Sequence, residues 1–339
     1  MYNKALHWYA VFTAFCTFLL IIAGGLVTST GSGLAVPDWP LSYGQLMPPM
    51  VGGILYEHGH RMVATTVGLL TVILTIWIWR KDSRRWMRWL ALVALGAVIV
   101  QGALGGLTVL FMLPTAISAS HATLAQTFFS IVSAIALFTS KWWFQFKYEK
   151  PKVIIPKTIV TLCVVVTSAV YLQLILGAIM RHTGSGLAVP DFPLAYGQLI
   201  PSISPEAMES YNRILIHEDV RLAADGAITA NQIIIHMLHR LWAVAVASLV
   251  VILALRFRSV FNLVHYLVAR LMVLLVVVQV GLGAWTVLSR RAVEIATAHV
   301  AVGALLLVLS VLLTLMTLRV IGRFDPVLQE GQIPKEAYV

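Results

Sequence analysis

The stretch TGSGLAVPD at residues 30–38 recurs letter for letter at residues 183–191. Nine identical residues do not repeat by chance in a chain of 339. The likeness runs outward from this core: Pro40, Tyr43, Gly44, Gln45, Leu46 and Pro48 return as Pro193, Tyr196, Gly197, Gln198, Leu199 and Pro201. The chain is therefore two copies of one unit. Each copy of the motif follows an apolar run, and its Gly, Ser, Pro and Asp suit turns rather than helix, so the repeated object is a shaped loop.

With 59% hydrophobic and only 11% charged residues, and a mean hydropathy of +0.88, the chain is not an ordinary soluble domain, in which about a quarter of residues are charged. It reads as an integral membrane protein. A net charge of +10 in a soluble chain would point to nucleic acid. Here Lys and Arg sit between apolar runs, where a topology signal belongs, and nucleic acid is not expected as a partner. Cys16 and Cys163 lie inside apolar runs, which gives neither a disulfide framework nor a thiolate metal site. The first apolar run is long and lacks a small-residue cleavage site, so it reads as a retained helix.

A spanning helix needs about 20 mostly apolar residues. Eight stretches qualify: residues 6–27, 60–79, 86–111, 117–139, 154–180, 232–255, 263–288 and 295–318. The expected fold is all-α integral membrane, with eight transmembrane helices as two tandem, parallel-repeat four-helix bundles. Residues 1–150 make the N-terminal half and residues 151–339 the C-terminal half, the latter with a longer outer loop at about residues 181–230. Its inserted part, 202–230, carries Glu206, Glu209, Glu218, Asp219 and Asp225 and reads as a solvated cap or short helix.

Basic residues set the orientation. One group of connecting segments holds Lys4; Arg80, Lys81, Arg84, Arg85 and Arg88; Lys141, Lys147, Lys150, Lys152 and Lys157; Arg256 and Arg258; and Arg319, Arg323 and Lys335. The opposite group holds Arg181, Arg213, Arg221, Arg290 and Arg291. The positive-inside rule puts both termini in the cytoplasm, the spans in the cell's inner membrane and both TGSGLAVPD loops outside. An even number of spans per copy gives the halves one orientation. Later segments repeat as well: QGALGGLTVL at 101–110 resembles QVGLGAWTVL at 279–288. Small residues there allow close helix approach, and Gln101 and Gln279 suit bonding across helices.

Ionisable side chains within a span are costly and by default face a bundle interior. His60-Arg61 opens the second span and His239-Arg240 comes early in the sixth; His121 opens the fourth, and His299 lies on the eighth at nearly the same offset. These four spans run from outside to inside, so each half presents two His at similar depth in the outer leaflet. Two neutral imidazoles facing each other in an apolar bundle suit axial ligation of a haem iron, whereas zinc or copper would want more ligands. Four satisfied polar side chains joining helices are the alternative, and the duplicated pairing favours haem. Arg61 and Arg240 suit pairing with haem propionates and, almost equally, anchoring at the interface. His58 lies about 200° around the helix from His60 and faces elsewhere. His7, His182, His217 and His265 have no duplicate and read as surface or interfacial.

One position breaks the symmetry. Glu57 stands three residues before His60, whereas the equivalent place before His239 is His236. A carboxylate beside one haem site only reads as chemistry in the first half and electron storage in the second. An acid favoured at a helix start by the dipole is the equal alternative.

Eight spans, a duplicated four-span unit, a TGSGL-type loop after the first and fifth spans, E-x-x-H-R at Glu57 to Arg61 and four His on even-numbered spans form a specific combination. In these features the chain resembles the haem A synthases of bacteria and mitochondria over essentially its full length. The resemblance implies an enzyme, a membrane haem-dependent oxidoreductase that oxidises a methyl group of haem O to a formyl group, giving haem A for terminal cytochrome oxidases. It implies that His60 and His121 hold the substrate haem O and product haem A, that His239 and His299 hold a haem b, and that Glu57 is catalytic. Methyl oxidation needs a strong oxidant and a base for the leaving proton, roles suited to iron and Glu57. The partners implied are haem O synthase, the cytochrome oxidase assembly machinery and an electron partner that the sequence does not name; a homo-oligomer is compatible. Two departures stand out: the first outer loop lacks the cysteine pair that many members carry, and Arg181 precedes the second motif where the first has Thr28. Two rival readings belong to other classes. A di-haem b electron-transfer cytochrome would need the four His but not Glu57, and a parallel-repeat transporter would place its site near the midplane, often at broken helices.

Overall fold

A computed structural model describes residues 2–145, 156–217, 226–258 and 263–321. In chain order these form α1 (Lys4–Ser29), α2 (Gly53–Lys81), α3 (Arg85–Leu110), α4 (Thr115–Thr139), α5 (Lys141–Gln145), α6 (Lys157–His182), a 3-10 turn (Ser185–Leu187), α7 (Pro205–His217), α8 (Ala230–Arg258), α9 (Leu263–Leu288) and α10 (Val293–Val320). Eight of them, α1 to α4, α6 and α8 to α10, are long and apolar enough to cross a membrane. The expected spans match within a few residues except at α2, which begins at Gly53, seven residues before His60. Glu57, His58 and Arg61 interrupt the apolar pattern there, yet the helix continues because their polar ends find partners in the motif loop. Lys147, Lys150, Lys152, Arg221, Arg323 and Lys335 of the topology pattern, and Glu218, Asp219 and Asp225, lie outside the described residues.

Most hydroxyls in the apolar spans are satisfied locally. Thr13, Thr17, Thr71 and Thr75 each donate to the carbonyl four residues back, which leaves no open donor in a medium without water. In the first half α1 packs on α2 and α4, and α3 packs on the same two; in the second, α6 packs on α8 and α10, and α9 on the same two. Two four-helix rings of the same order result. They meet where α1 and α4 pack on α10 and where α4 packs on α6. At this seam Phe18 stacks on Phe129, ring centroids 5.8 Å apart, beside Ile21, Ala304 and Val308. Gly25 lets α10 come close, since a Cβ there would lie 3.2 Å from Thr297 Cγ2.

Each bundle is packed solid at one end only. In the first half the fully buried apolar cluster begins at Val67 on α2 and Phe128 on α4 and runs towards the far ends of those helices. In the second it begins at Val246 on α8 and Leu306 on α10. All four residues stand seven positions beyond a span histidine, His60, His121, His239 or His299, on the same helix face. Above that level, at the centre of each ring, imidazoles seated on glycines take the place of large apolar side chains.

Candidate functional site

The motif loop has one architecture in both copies. Tyr43 and Gly44 both have positive φ (54° and 69°), as do Tyr196 and Gly197 (52° and 75°). They form a two-residue turn closed by mutual backbone bonds between Ser42 and Gln45 and between Ala195 and Gln198. Such a turn needs the left-handed region at both central positions, which explains the glycine. Asp38 takes the amides of Tyr43 (2.6 Å) and Gly44 (2.8 Å), and Asp191 those of Tyr196 and Gly197. The Gly44 and Tyr43 amides hold the Asp38 carboxyl below its usual 3.8. Tyr43 Oη then donates to Ala35 O, and Tyr196 Oη to Ala188 O.

The arginine of each His-Arg pair fastens this loop to its helix. Arg61 donates to the carbonyls of Val36, Asp38 and Leu41 at 2.8–3.1 Å. Arg240 donates to the equivalent carbonyls of Val189, Asp191 and Leu194 at 2.7–3.2 Å. Both guanidinium groups are thus engaged with loop backbone. Glu57, 3% exposed, joins only the first clasp: Oε1 accepts from Arg61 at 2.5 Å and Oε2 from the Val36 amide at 2.7 Å. His236 meets its own loop differently, with Nδ1 2.9 Å from Ser185 O.

Next to the clasp stand the paired histidines. His60 and His121 are electrostatic neighbours, and so are His239 and His299. Each imidazole rests on a glycine of the preceding span. A Cβ at Gly24 or Gly105 would lie 3.2 Å from Cε1 of His60 or His121, and one at Gly177 or Gly283 would lie 3.1 Å from Cε1 of His239 or His299. Any larger residue would push the ring out of place. Gln101 donates to His121 O and Gln279 to His299 O, each at 3.0 Å, the cross-helix bond expected of them. Gln173 does the same for His239 O at 3.1 Å.

Sequence reasoning missed the four glycine seats and Gln173. The seats were there to be found, since Gly24 precedes Gly177, and Gly105 precedes Gly283, by the offsets of the two repeated motifs. Other histidines required correction. His58 does face away from His60, but it is buried, with Nδ1 2.8 Å from Ser42 Oγ. His265 is fully buried beside Phe257, not interfacial. His7 and His182 are half-buried, and His217 is exposed. The inserted outer segment forms α7, which packs on the second motif loop: Tyr211 stacks on Tyr196 at 3.7 Å, and Leu215 and Ile228 bury against Leu187 and Val189.

The residues present fit a haem. Nδ1 of His60, His121 and His299 is buried without a hydrogen-bond partner, as are both ring nitrogens of His265, and what sets the first three apart is their pairing across the bundle on glycine seats. Among the described residues no group of three or more His, Cys, Asp or Glu could hold a metal ion. A bare zinc or copper ion would lack ligands, whereas an iron that brings its own porphyrin nitrogens asks the protein for two axial imidazoles.

The heme A synthase of Lysinibacillus sphaericus is 32% identical over 210 residues, covering 61% of this chain and 67% of its own. That of Halalkalibacterium halodurans is 33% identical over 220 residues, covering 62% and 72%, and that of Symbiobacterium thermophilum 31% over 207 residues, covering 59% and 67%. The sequence pattern of the cytochrome oxidase assembly protein family matches residues 7–52 and 51–311. On that span, the chain belongs to the cytochrome oxidase assembly protein family.

Proposed function

We propose that this protein oxidises a methyl group of haem O to a formyl group, giving haem A. The observation that carries the reading is the set of four span histidines, each seated on a glycine above a solid core, with a carboxylate beside one pair only. His60 and His121 hold the substrate in the first half. His239 and His299 hold a haem b in the second, where iron bound by two imidazoles supplies one-electron redox chemistry. The glycines and Gln101, Gln173 and Gln279 orient the imidazoles, and the packed core beneath keeps water from reaching the pockets from the far side.

Glu57 receives the protons that leave the methyl carbon. Arg61 and the Val36 amide fix the carboxylate, and each of its oxygens keeps a second lone pair for that task. Arg61 and Arg240 stand at the pocket rim, where they fasten the motif loops over the haem edges. Both loops face the outer side and both termini the cytoplasm. Haem O synthase supplies the substrate, dioxygen or water supplies the formyl oxygen, an electron partner exchanges electrons with the second-half haem, and cytochrome oxidase assembly consumes the product.

The test is production of the protein in cells that make haem O but no haem A, followed by pigment extraction and mass spectrometry. Haem A in cells with the protein, and none in cells without it, supports the proposal. Two bound b-type haems with haem O left unchanged would make the protein an electron-transfer cytochrome instead.

A further inference from the structure

The two halves share a backbone plan but differ in charge, besides Glu57 against His236, at the outer rim of the bundle. The turn between α3 and α4 has two consecutive residues with positive φ, Met112 (60°) and Leu113 (59°); the turn between α9 and α10 has Arg290 (54°) and Arg291 (66°) in the same conformations. Their side chains occupy equivalent places. Leu113 Cδ1 would lie 3.5 Å from a Cβ on Gly33 of the first motif, and Arg291 Cδ 3.6 Å from one on Gly186 of the second. A third difference follows from the repeat, since Arg181 stands where the first half has Thr28. Three neutral positions in the first half are three cations in the second.

These cations run against the topology pattern. Basic residues are depleted on the outer side, and of the outer group Arg213 lies 3.5 Å from Glu209 while Arg221 is outside the described residues. Arg181 stands two residues before the second motif and Arg291 lies against its Gly186, so their charges add at one rim. Among the described residues none of Arg181, Arg290 and Arg291 has a carboxylate within ion-pair distance; Glu294, the acid nearest in sequence, pairs with none of them. Arg181 is turned inward. It donates to Gly25 O (3.2 Å) and Ser29 Oγ (2.7 Å) across the seam and acts electrostatically on His299. It stands four residues beyond Gly177, the seat of His239, on the same face of α6 and one turn nearer the outer end.

We propose that Arg181, Arg290 and Arg291 form a carboxylate-binding rim of the second-half pocket, which takes the propionate groups of the haem held by His239 and His299. The proposal rests on the haem assignment made above. The apolar rim of the first half, Met112 and Leu113, offers no such hold. A group that must leave after each reaction cycle is held there by its ligands alone, whereas a resident group is held by ligands and charge together.

The experiment uses the full chain with the first pair removed by His60→Ala and His121→Ala, so that only the second site loads. It is reconstituted in detergent with iron protoporphyrin or with its dimethyl ester, and release to apomyoglobin is timed. The acid should leave roughly tenfold or more slowly than the ester, the factor expected of a charge-assisted contact. Arg181→Gln, Arg290→Gln and Arg291→Gln together should abolish the difference, and the three Lys substitutions should restore most of it. Equal release of acid and ester before any Arg is changed would overturn the proposal, even if the cations bind phosphatidylglycerol vesicles. Discrimination that survives the triple Gln change would overturn it too. Adding His239→Ala and His299→Ala separates the two ideas: haem kept there removes the ligand assignment and this proposal with it, whereas haem lost there, with equal release of acid and ester, removes this proposal alone.

Discussion

Replacing Gly283 by Ala places a methyl group 3.1 Å from Cε1 of His299, closer than the roughly 3.5–4.0 Å at which two carbons attract. The imidazole must give way by a few tenths of an ångström, and it is held by its own helix, by Gln279 at the backbone and by the ring packing around it. Overfilling of this kind costs about 1–3 kcal/mol. Alanine also favours the helix by about 0.8–1.0 kcal/mol over glycine, but that gain is present with and without haem and drops out of haem affinity. Without haem the ring can swing aside, whereas a ligating ring cannot, so the overfilling cost falls on the bound state and lowers affinity by roughly fivefold to 150-fold. Gly281, on the same helix, has nothing within 4 Å of its virtual Cβ, so Gly281→Ala should keep haem b and raise thermal stability. The assay is haem b per purified chain, with the rate of haem transfer to apomyoglobin. If Gly283→Ala holds haem as tightly as Gly281→Ala, the glycine is not a seat for a ligating imidazole and the site reading fails.

Further expectations concern the other parts of the site. His239→Ala and His299→Ala should each lose low-spin haem b, and stoichiometric low-spin haem in either variant would contradict the ligand assignment. Cysteines at Leu46 and Leu199, 84% and 81% exposed at the loop tips, should both react with an impermeant thiol reagent in intact cells; reaction of only one would contradict the parallel repeat. Glu57→Gln leaves one acceptor oxygen and sets an NH2 against either Val36 N–H or Arg61, so haem A formation should stop at haem O or its alcohol while haem b stays, as pigment extraction shows; His236→Gln should leave the product unchanged. Asp38 has a folded pKa below its usual 3.8, so its grip on the turn is present above that value and lost as pH falls through the lowered one. Exchange protection of the Tyr43 and Gly44 amides should fall on such acidification and become independent of pH in Asp38→Asn.

The eight spans, the duplicated loop and the four histidines were legible because each rests on a local signal: unbroken hydropathy, literal repetition, and an ionisable residue where water is absent. The start of α2 was not, because Glu57, His58 and Arg61 lower the hydropathy of a helix whose polar groups are satisfied by a loop some 20 residues earlier, and only the three-dimensional contact shows that satisfaction. The arginines show the same limit. Composition marks Arg61 and Arg240 as cations beside the ligands, but the geometry binds them to backbone carbonyls. His265 was misread for the converse reason: it sits near a helix end in sequence, yet α9 begins close enough to Phe257 to bury it. The glycine seats rely on which face a residue presents to the next helix, and a chain rich in small residues gives many glycines that present none.

The two motif loops have the same backbone and the same arginine clasp, but the fastenings added to it differ. In the first half the added fastenings are polar, Glu57 to the Val36 amide and His58 to Ser42, and among the described residues no helix covers the turn, so Tyr43 is 51% exposed. In the second half Ala195 and Met237 stand where Ser42 and His58 were, and α7 lays Tyr211 and Leu215 over the loop. Burying one large apolar side chain is worth about 1.5–3 kcal/mol, and this burial must be undone entirely before the loop can lift. Polar fastenings re-form with water as the loop opens, at a net cost of about 0.5–1.5 kcal/mol for His58 to Ser42 and about 1.5–3 kcal/mol for the Glu57 carboxylate, whereas Tyr211, Leu215 and Ile228 must all be exposed together, at about 4.5–9 kcal/mol. On the proposed function the first pocket must release its occupant after each reaction and the second must not. Polar clasps over the first and an apolar cap over the second put the lower opening cost on the side where haem is exchanged.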